Sequence, residues 1–193
     1  MFRFLFLFIV VLPVFSSQSD VIDVTGGARC SDTTRFLKRL LRFHRELVPF
    51  PSNLTINFRP NVSIEALPNG TQIATCRRGE FECELSKFQV CSKNFLPEDV
   101  ALPTIGCIQG VNTRAAAEDC VAKTSESASI QLCVDAYEST LLLAEEQRNG
   151  PPGSEITWVP WILINGKRVA EAEKDPKKYI CQLESVEKHN ACK

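Results

Sequence analysis

Between Phe36 and Leu47 the apolar residues recur at helical spacing. Phe36, Leu40, Phe43 and Leu47 share one face, joined by Leu37 and Leu41, while Lys38, Arg39, Arg42 and Arg45 fill the other. Ser31, Asp32 and Thr33 stand ahead of this pattern and are good N-cap residues, so the helix is predicted to begin near residues 31–33 with Cys30 at its N-terminus. The short apolar run at residues 21–24 predicts a buried strand, and residues 53–58 alternate like a second one. Residues 69–76 read as a further short extended piece. From 80 to about 147 the pattern is mostly helical, with breaks expected near Pro97, across 103–110 and at 123–125, and NGPPG at 149–153 ends it. Residues 162–164, the Asn165-Gly166 turn and residues 167–170 predict a β-hairpin. A last helix is predicted from Asp175, with Pro176 at its first position.

The predicted order is β-α-β, a helical block, then β-β-α. That is an α/β class chain on the thioredoxin plan, with a helical insertion over about 80–150, and residues 20–193 read as a single domain. In this plan the nucleophilic cysteine sits where the first strand meets the first helix, facing a cis-proline just before the next hairpin. Cys30 and Pro160 occupy those positions, with Val159 supplying the backbone before the proline. An ordinary trans proline at a strand start is the alternative for Pro160. Trp158 and Trp161 flank it, either as walls of a groove or as core aromatics.

Residues 1–19 change the compartment. Arg3, the apolar run 4–15 and Ser16, Ser17 and Ser19 form the pattern of a secretory signal peptide, too short to span a bilayer stably. A buried N-terminal helix is the alternative. No later run reaches the length of a membrane span, so the expectation is a secretory-pathway protein, extracellular or lysosomal. Three sequons, at Asn53, Asn61 and Asn69, suggest one glycan-bearing surface. Net charge is −1, from 22 basic and 23 acidic residues, which gives no argument for nucleic acid. His44 and His189 lie too far apart in the chain to complete a zinc ligand set, so no metal is expected.

There are nine cysteines, and in an oxidising compartment most should pair. On one predicted helix, Cys83 and Cys91 would stand about 12 Å apart along the axis, beyond the ~7 Å Cα limit of a disulfide. They should therefore bond elsewhere. Cys76, Cys83, Cys91, Cys107, Cys120, Cys133, Cys181 and Cys192 read as staples whose connectivity spacing does not resolve. The odd count leaves one thiol over. Cys30 is the candidate because a helix N-terminus stabilises a thiolate. Parity alone leaves open that Cys30 is paired and another cysteine is not.

At this point the sequence resembles the gamma-interferon-inducible lysosomal thiol reductase family. Cys76, Gly79, Glu82, Cys83 and Cys91 match its C-Q-H-G-x-x-E-C-x-x-N signature and the cysteine that follows, while Arg77, Arg78 and Ser86 replace Gln, His and Asn. Residues 159–167, VPWILINGK, are similar to its V-P-W-x-x-I-N-G-K segment. CSDTTRF, from Cys30 to Phe36, resembles its C-x-x-C-R-x-F active-site stretch, with Thr33 replacing the second Cys and Thr34 the Arg. The resemblance implies thiol–disulfide exchange with protein disulfides in acidic endosomes or lysosomes, with no cofactor beyond the thiols. It implies Cys30 as nucleophile, Val159 and Pro160 as substrate-binding residues, and the other eight cysteines in disulfides. Thr33 removes the resolving thiol and is expected to donate a hydrogen bond to the Cys30 sulfur. The expected activity is therefore monothiol reduction or isomerisation, with disulfide-containing proteins as partners and small thiols as reductant. The alternative is a glycoprotein that keeps the fold as a binding module.

Overall fold

The computed structural model describes residues 19–193. The signal peptide expected over 1–19 therefore falls outside the described residues, Ser19 excepted.

β1 (Asp20–Gly26), α1 (Ser31–His44) and β2 (Leu54–Pro60) form a β-α-β unit whose strands run parallel, Asp20 opposite Leu54 and Gly26 opposite Pro60. β5 (Trp161–Ile164) lies antiparallel along the other side of β1, and β6 (Lys167–Arg168) completes a sheet of order β2-β1-β5-β6. The β5–β6 turn has Asn165 and Gly166 at φ 49° and 74°, the paired positive φ that a two-residue hairpin needs to match strand twist. Asn165 also ties the turn down. Its Oδ1 accepts the Val21 N–H at 2.8 Å and its Nδ2 donates to Asp20 at 2.7 Å. This is the predicted thioredoxin-like arrangement.

Between the two halves of the sheet come β3 (Ser63–Ala66) and β4 (Gln72–Thr75), paired as a separate antiparallel ribbon. The helices α2 (Glu80–Phe95), α3 (Glu98–Ile108), α4 (Arg114–Val121), α5 (Ser127–Asp135) and α6 (Glu138–Asn149) follow. β3 is not among the predicted elements; it is four residues long and mostly exposed. Pro103 does not break α3. It faces solvent, so water can satisfy the carbonyl it leaves unpaired, and the helix ends at Ile108. The last helix, α7 (Pro176–Ile180), begins as predicted, with Asp175 capping the Lys178 N–H, but is only five residues long.

Two cores result. Ile22, Val24, Phe36, Leu40, Phe43, Ile56, Phe58 and Ile162 pack the sheet against α1, with Leu102 and Ile105 of α3 and Ile180 of α7. Leu85, Phe88, Ile108, Val121, Ile130, Val134 and Leu143 form a second core inside the helical block. Four disulfides are present. Cys76–Cys83, Cys91–Cys133 and Cys107–Cys120 lie in the block, and Cys181–Cys192 closes the chain end beside the sheet core. Cys83 and Cys91 bond to different partners. Asn53 and Asn61 stand at opposite ends of β2 and Asn69 in the β3–β4 turn.

Candidate active site

β1 ends at Gly26 and the chain turns through residues 27–29 before Cys30 caps α1 with an extended backbone (φ −80°, ψ 123°). The turn closes through the Cys30 N–H to Gly27 O at 3.0 Å, and the Thr34 N–H and Oγ1 both donate to Cys30 O at 2.9 Å. Cys30 is the one cysteine outside a disulfide. Its side chain is 3% exposed, and its Sγ lies 3.6 Å from Val159 O. The Val159–Pro160 peptide is cis. Thiol, helix N-terminus and cis-proline thus converge at the C-terminal end of β1.

The helical block supplies the rest of the support. A buried loop must place every backbone polar group. Here Gln109 Nε2 donates to Gly27 O at 2.8 Å, the Gly110 N–H donates to Ala28 O at 2.9 Å, and the Arg29 N–H donates to Glu82 Oε1 at 3.1 Å. Gln109 is held in turn by Gln89 Nε2 at 2.9 Å, and Ala28 is fully buried in the block's core. Glu82 is 1% exposed. It also accepts the Arg78 N–H at 2.8 Å and pairs with the Arg78 guanidinium at 3.3 Å. Gly79, at φ 87°, opens α2 and lets the chain turn so that Glu82 meets that N–H. A Cβ at Gly27 would be tight, 3.0 Å from Glu82 Oε1 and 3.3 Å from Cys30 Cβ, so a side chain there would have to shift its neighbours. Glu82 and Gly79 were visible in sequence only as matches to the family signature. Gln89, Gln109 and Ala28 gave no signal, because nothing local reports a contact made some eighty residues along the chain.

Thr33 departs from expectation. It is fully buried, and its Oγ1 makes no hydrogen bond, so it does not donate to the Cys30 sulfur. Packing explains the orientation. The Thr33 methyl fills the space beside Gly26, where a Cβ would meet it at 2.5 Å. Arg35 pairs with Asp32, whereas Arg29 lies 5.4 Å over the Phe81 ring and forms no ion pair among the described residues.

Beyond the proline, Trp158 is half exposed and meets Trp161 edge-on at 5.6 Å. The Arg168 guanidinium lies 4.3 Å over Trp161 and 5.2 Å from Trp158. Its Nη1 donates to Ile162 O at 3.1 Å, while its Nε and Nη2 are buried without hydrogen-bond partners beside the indoles. Burial lowers the Arg168 pKa, and Glu173 and Glu171 oppose that shift. The tryptophans therefore wall a partly open surface rather than fill a core. Among the described residues no group of three or more His, Cys, Asp or Glu could hold a metal ion.

A thiol at a helix N-terminus, a facing cis-proline and this sheet order define a thiol–disulfide oxidoreductase-like protein. The solved DsbA of Chlamydia trachomatis has the same fold, with a TM-score of 0.59 at 10% identity over 90% of each chain. Residues 21–124 match the gamma interferon inducible lysosomal thiol reductase (GILT) family, and the chain belongs to that family. A GILT-like protein of Caenorhabditis briggsae is 29% identical over 91% of this chain and 87% of its own length. The gamma-interferon-inducible lysosomal thiol reductase of Mus musculus is 29% identical over 64% of this chain and 52% of its own length.

Proposed function

We propose that this protein carries out thiol–disulfide exchange on protein disulfides through Cys30 alone. It would act as residues 20–193, in the lysosome or outside the cell, after removal of the leader. The observation that carries this reading is the position of Cys30: the one unpaired thiol, at the start of α1, 3.6 Å from the carbonyl that precedes cis-Pro160. In the forward step the Cys30 thiolate attacks one sulfur of a substrate disulfide. A Cys30–substrate disulfide forms, the other substrate sulfur leaves as thiolate, and solvent protonates it. Val159 and Pro160 supply the backbone against which an extended substrate would lie. Thr33 fills the place of a resolving thiol with a group that cannot displace the adduct. Release then requires a second substrate thiol, which gives isomerisation, or two equivalents of a small-molecule thiol: the first frees the substrate as its thiol, the second frees Cys30, and the small thiol leaves as its disulfide, which gives net reduction.

The test restores the missing sulfur. The Thr33→Cys variant should form a reversible bond with Cys30 and gain turnover on a disulfide-bonded denatured protein with a dithiol donor. The Cys30→Ser variant should be inert. If Thr33→Cys gains nothing and the natural protein matches Cys30→Ser, the reading falls. A second reading, a binding module with a protected thiol, is favoured by the 3% exposure of Cys30. It predicts slow, unselective alkylation of the native protein.

A further inference from the structure

A cleft of about 300 Å³ opens beside the Cys30 loop, lined in part by Thr25, Arg59, Asn61, Arg77, Glu146 and Ile156. One wall meets the turn before Cys30 directly, and two others are its neighbours along the chain. The Asn61 N–H donates to Gly26 O at 2.8 Å, and Arg77 adjoins Arg78, whose guanidinium lies 3.2 Å from the Cβ position of Gly27. Ile156 stands just ahead of Val159, whose carbonyl faces the sulfur.

The charges within the cleft do not balance. Arg59 pairs with Asp23 at 3.2 Å and with Glu146 at 2.7 Å, and Glu146 also pairs with Lys93 at 2.6 Å. Those two cations and two anions offset one another. Arg77 is exposed and makes no hydrogen bond, ion pair or ring contact among the described residues, so it leaves one positive charge unspent. Glu80, the nearest acidic residue along the chain, lines a different, larger cavity. The Arg29 guanidinium, over the Phe81 ring, likewise has no carboxylate partner among the described residues.

We propose that this cleft is a substrate subsite in which Arg77 pairs with an aspartate or glutamate flanking the substrate's cysteine. The preferred substrate class is then disulfides set in acidic segments. The proposal rests on exchange at Cys30. The subsite adds recognition only, and the sulfur chemistry is that given above. An exposed ion pair changes rates modestly, by about fivefold or less at low salt, and salt screens it.

The experiment uses three peptides identical except for Asp, Asn or Lys on both sides of a cysteine carrying a 2-thiopyridyl disulfide. Release of 2-thiopyridone is followed with the natural glycoprotein, Arg77→Gln and Cys30→Ser. The expected result is Asp faster than Asn and Asn faster than Lys. The spread should shrink with added salt and be largely lost in Arg77→Gln. Equal rates for the three peptides, or an undiminished spread in Arg77→Gln, would overturn the proposal. So would a preference that appears only after enzymatic removal of glycans, since Asn61 lines the cleft. If the natural protein reacts no faster than Cys30→Ser with any peptide, exchange itself is refuted. The subsite is then judged by equilibrium binding of the same peptides with Ser in place of Cys. Weaker binding of the Asp form by Arg77→Gln upholds it, and equal binding refutes it.

Discussion

The two cores of this molecule are built differently. The sheet core is regular: alternating strand residues such as Ile22, Val24, Ile56 and Phe58 meet one apolar face of α1, and its only crosslink, Cys181–Cys192, lies at its edge. The helical block is made of short helices, several of eight to twelve residues, crosslinked by three disulfides. Short helices bury little surface each, so the bridges supply constraint that the helices lack. Cys30 stands on the seam. Its helix belongs to the sheet core, whereas the loop before it is pinned by Ala28, Glu82 and Gln109 to the block. The proposed exchange at this thiol would therefore depend on both halves.

The largest effect should come from the longest bridge. Replacing Cys91 and Cys133 by alanine opens a link across 42 residues and should cost about 4 kcal/mol by loop entropy. Hydrogen exchange should show α4–α6 losing protection before β1 and β5. Next, Leu40→Ala, at a fully buried site in the sheet core, should cost about 3 kcal/mol in denaturant unfolding. Here the loss should spread through the sheet, with the block's disulfides untouched. Equal protection losses in both halves for both variants would erase the distinction between the cores.

Glu82→Gln probes the seam itself. The variant keeps the side-chain shape but loses the ion pair with Arg78 and leaves one of two part-buried N–H groups facing an amide donor. It should cost about 2 kcal/mol and change the rate of Cys30 alkylation in protein that is still folded. A purely structural Glu82 would lower stability and leave that rate alone.

The smallest effects concern pH, at two groups beside the sheet core. His44 has its pKa lowered, chiefly by burial, with Asp99 opposing. A depressed His pKa means the fold holds the neutral ring. The stability this provides is present above the ordinary His value and is lost as pH falls toward the folded value. Glu98 accepts the Ile56 N–H and has its pKa raised, chiefly by burial, with Asp99 adding to the rise and the Ile56 hydrogen bond and Lys93 opposing it. Its contribution is present below the ordinary Glu value and is lost as pH rises through the folded value. His44→Gln should therefore gain on the natural protein as pH falls below about 6.5, and Glu98→Gln should gain as pH rises above about 4.3. Unfolding midpoints between pH 4 and 7 check both signs.

The same contrast explains what was legible in the sequence. α1, β1, β2 and the β5–β6 hairpin have strong periodicity or turn chemistry, and their expected places hold to within two or three residues. β3 is only four residues long and mostly exposed, too short a pattern to stand out, and α7 stops early where Cys181 turns toward Cys192. The disulfide partners depend on how short helices stack, which spacing does not encode. Position along the chain placed Thr33 three residues after Cys30. It could not tell that the space beside Gly26 would take its methyl and leave its hydroxyl unbonded.

The most direct test of the central claim is the fate of Cys30 during exchange. The natural protein is incubated with a disulfide-bonded peptide, quenched in acid, and its intact mass and peptide map are read. One substrate thiol should be found on Cys30, persisting until a small thiol is added, with the four native disulfides unchanged. A Cys30 that stays unmodified, or substrate found on one of the other eight cysteines, would contradict the account.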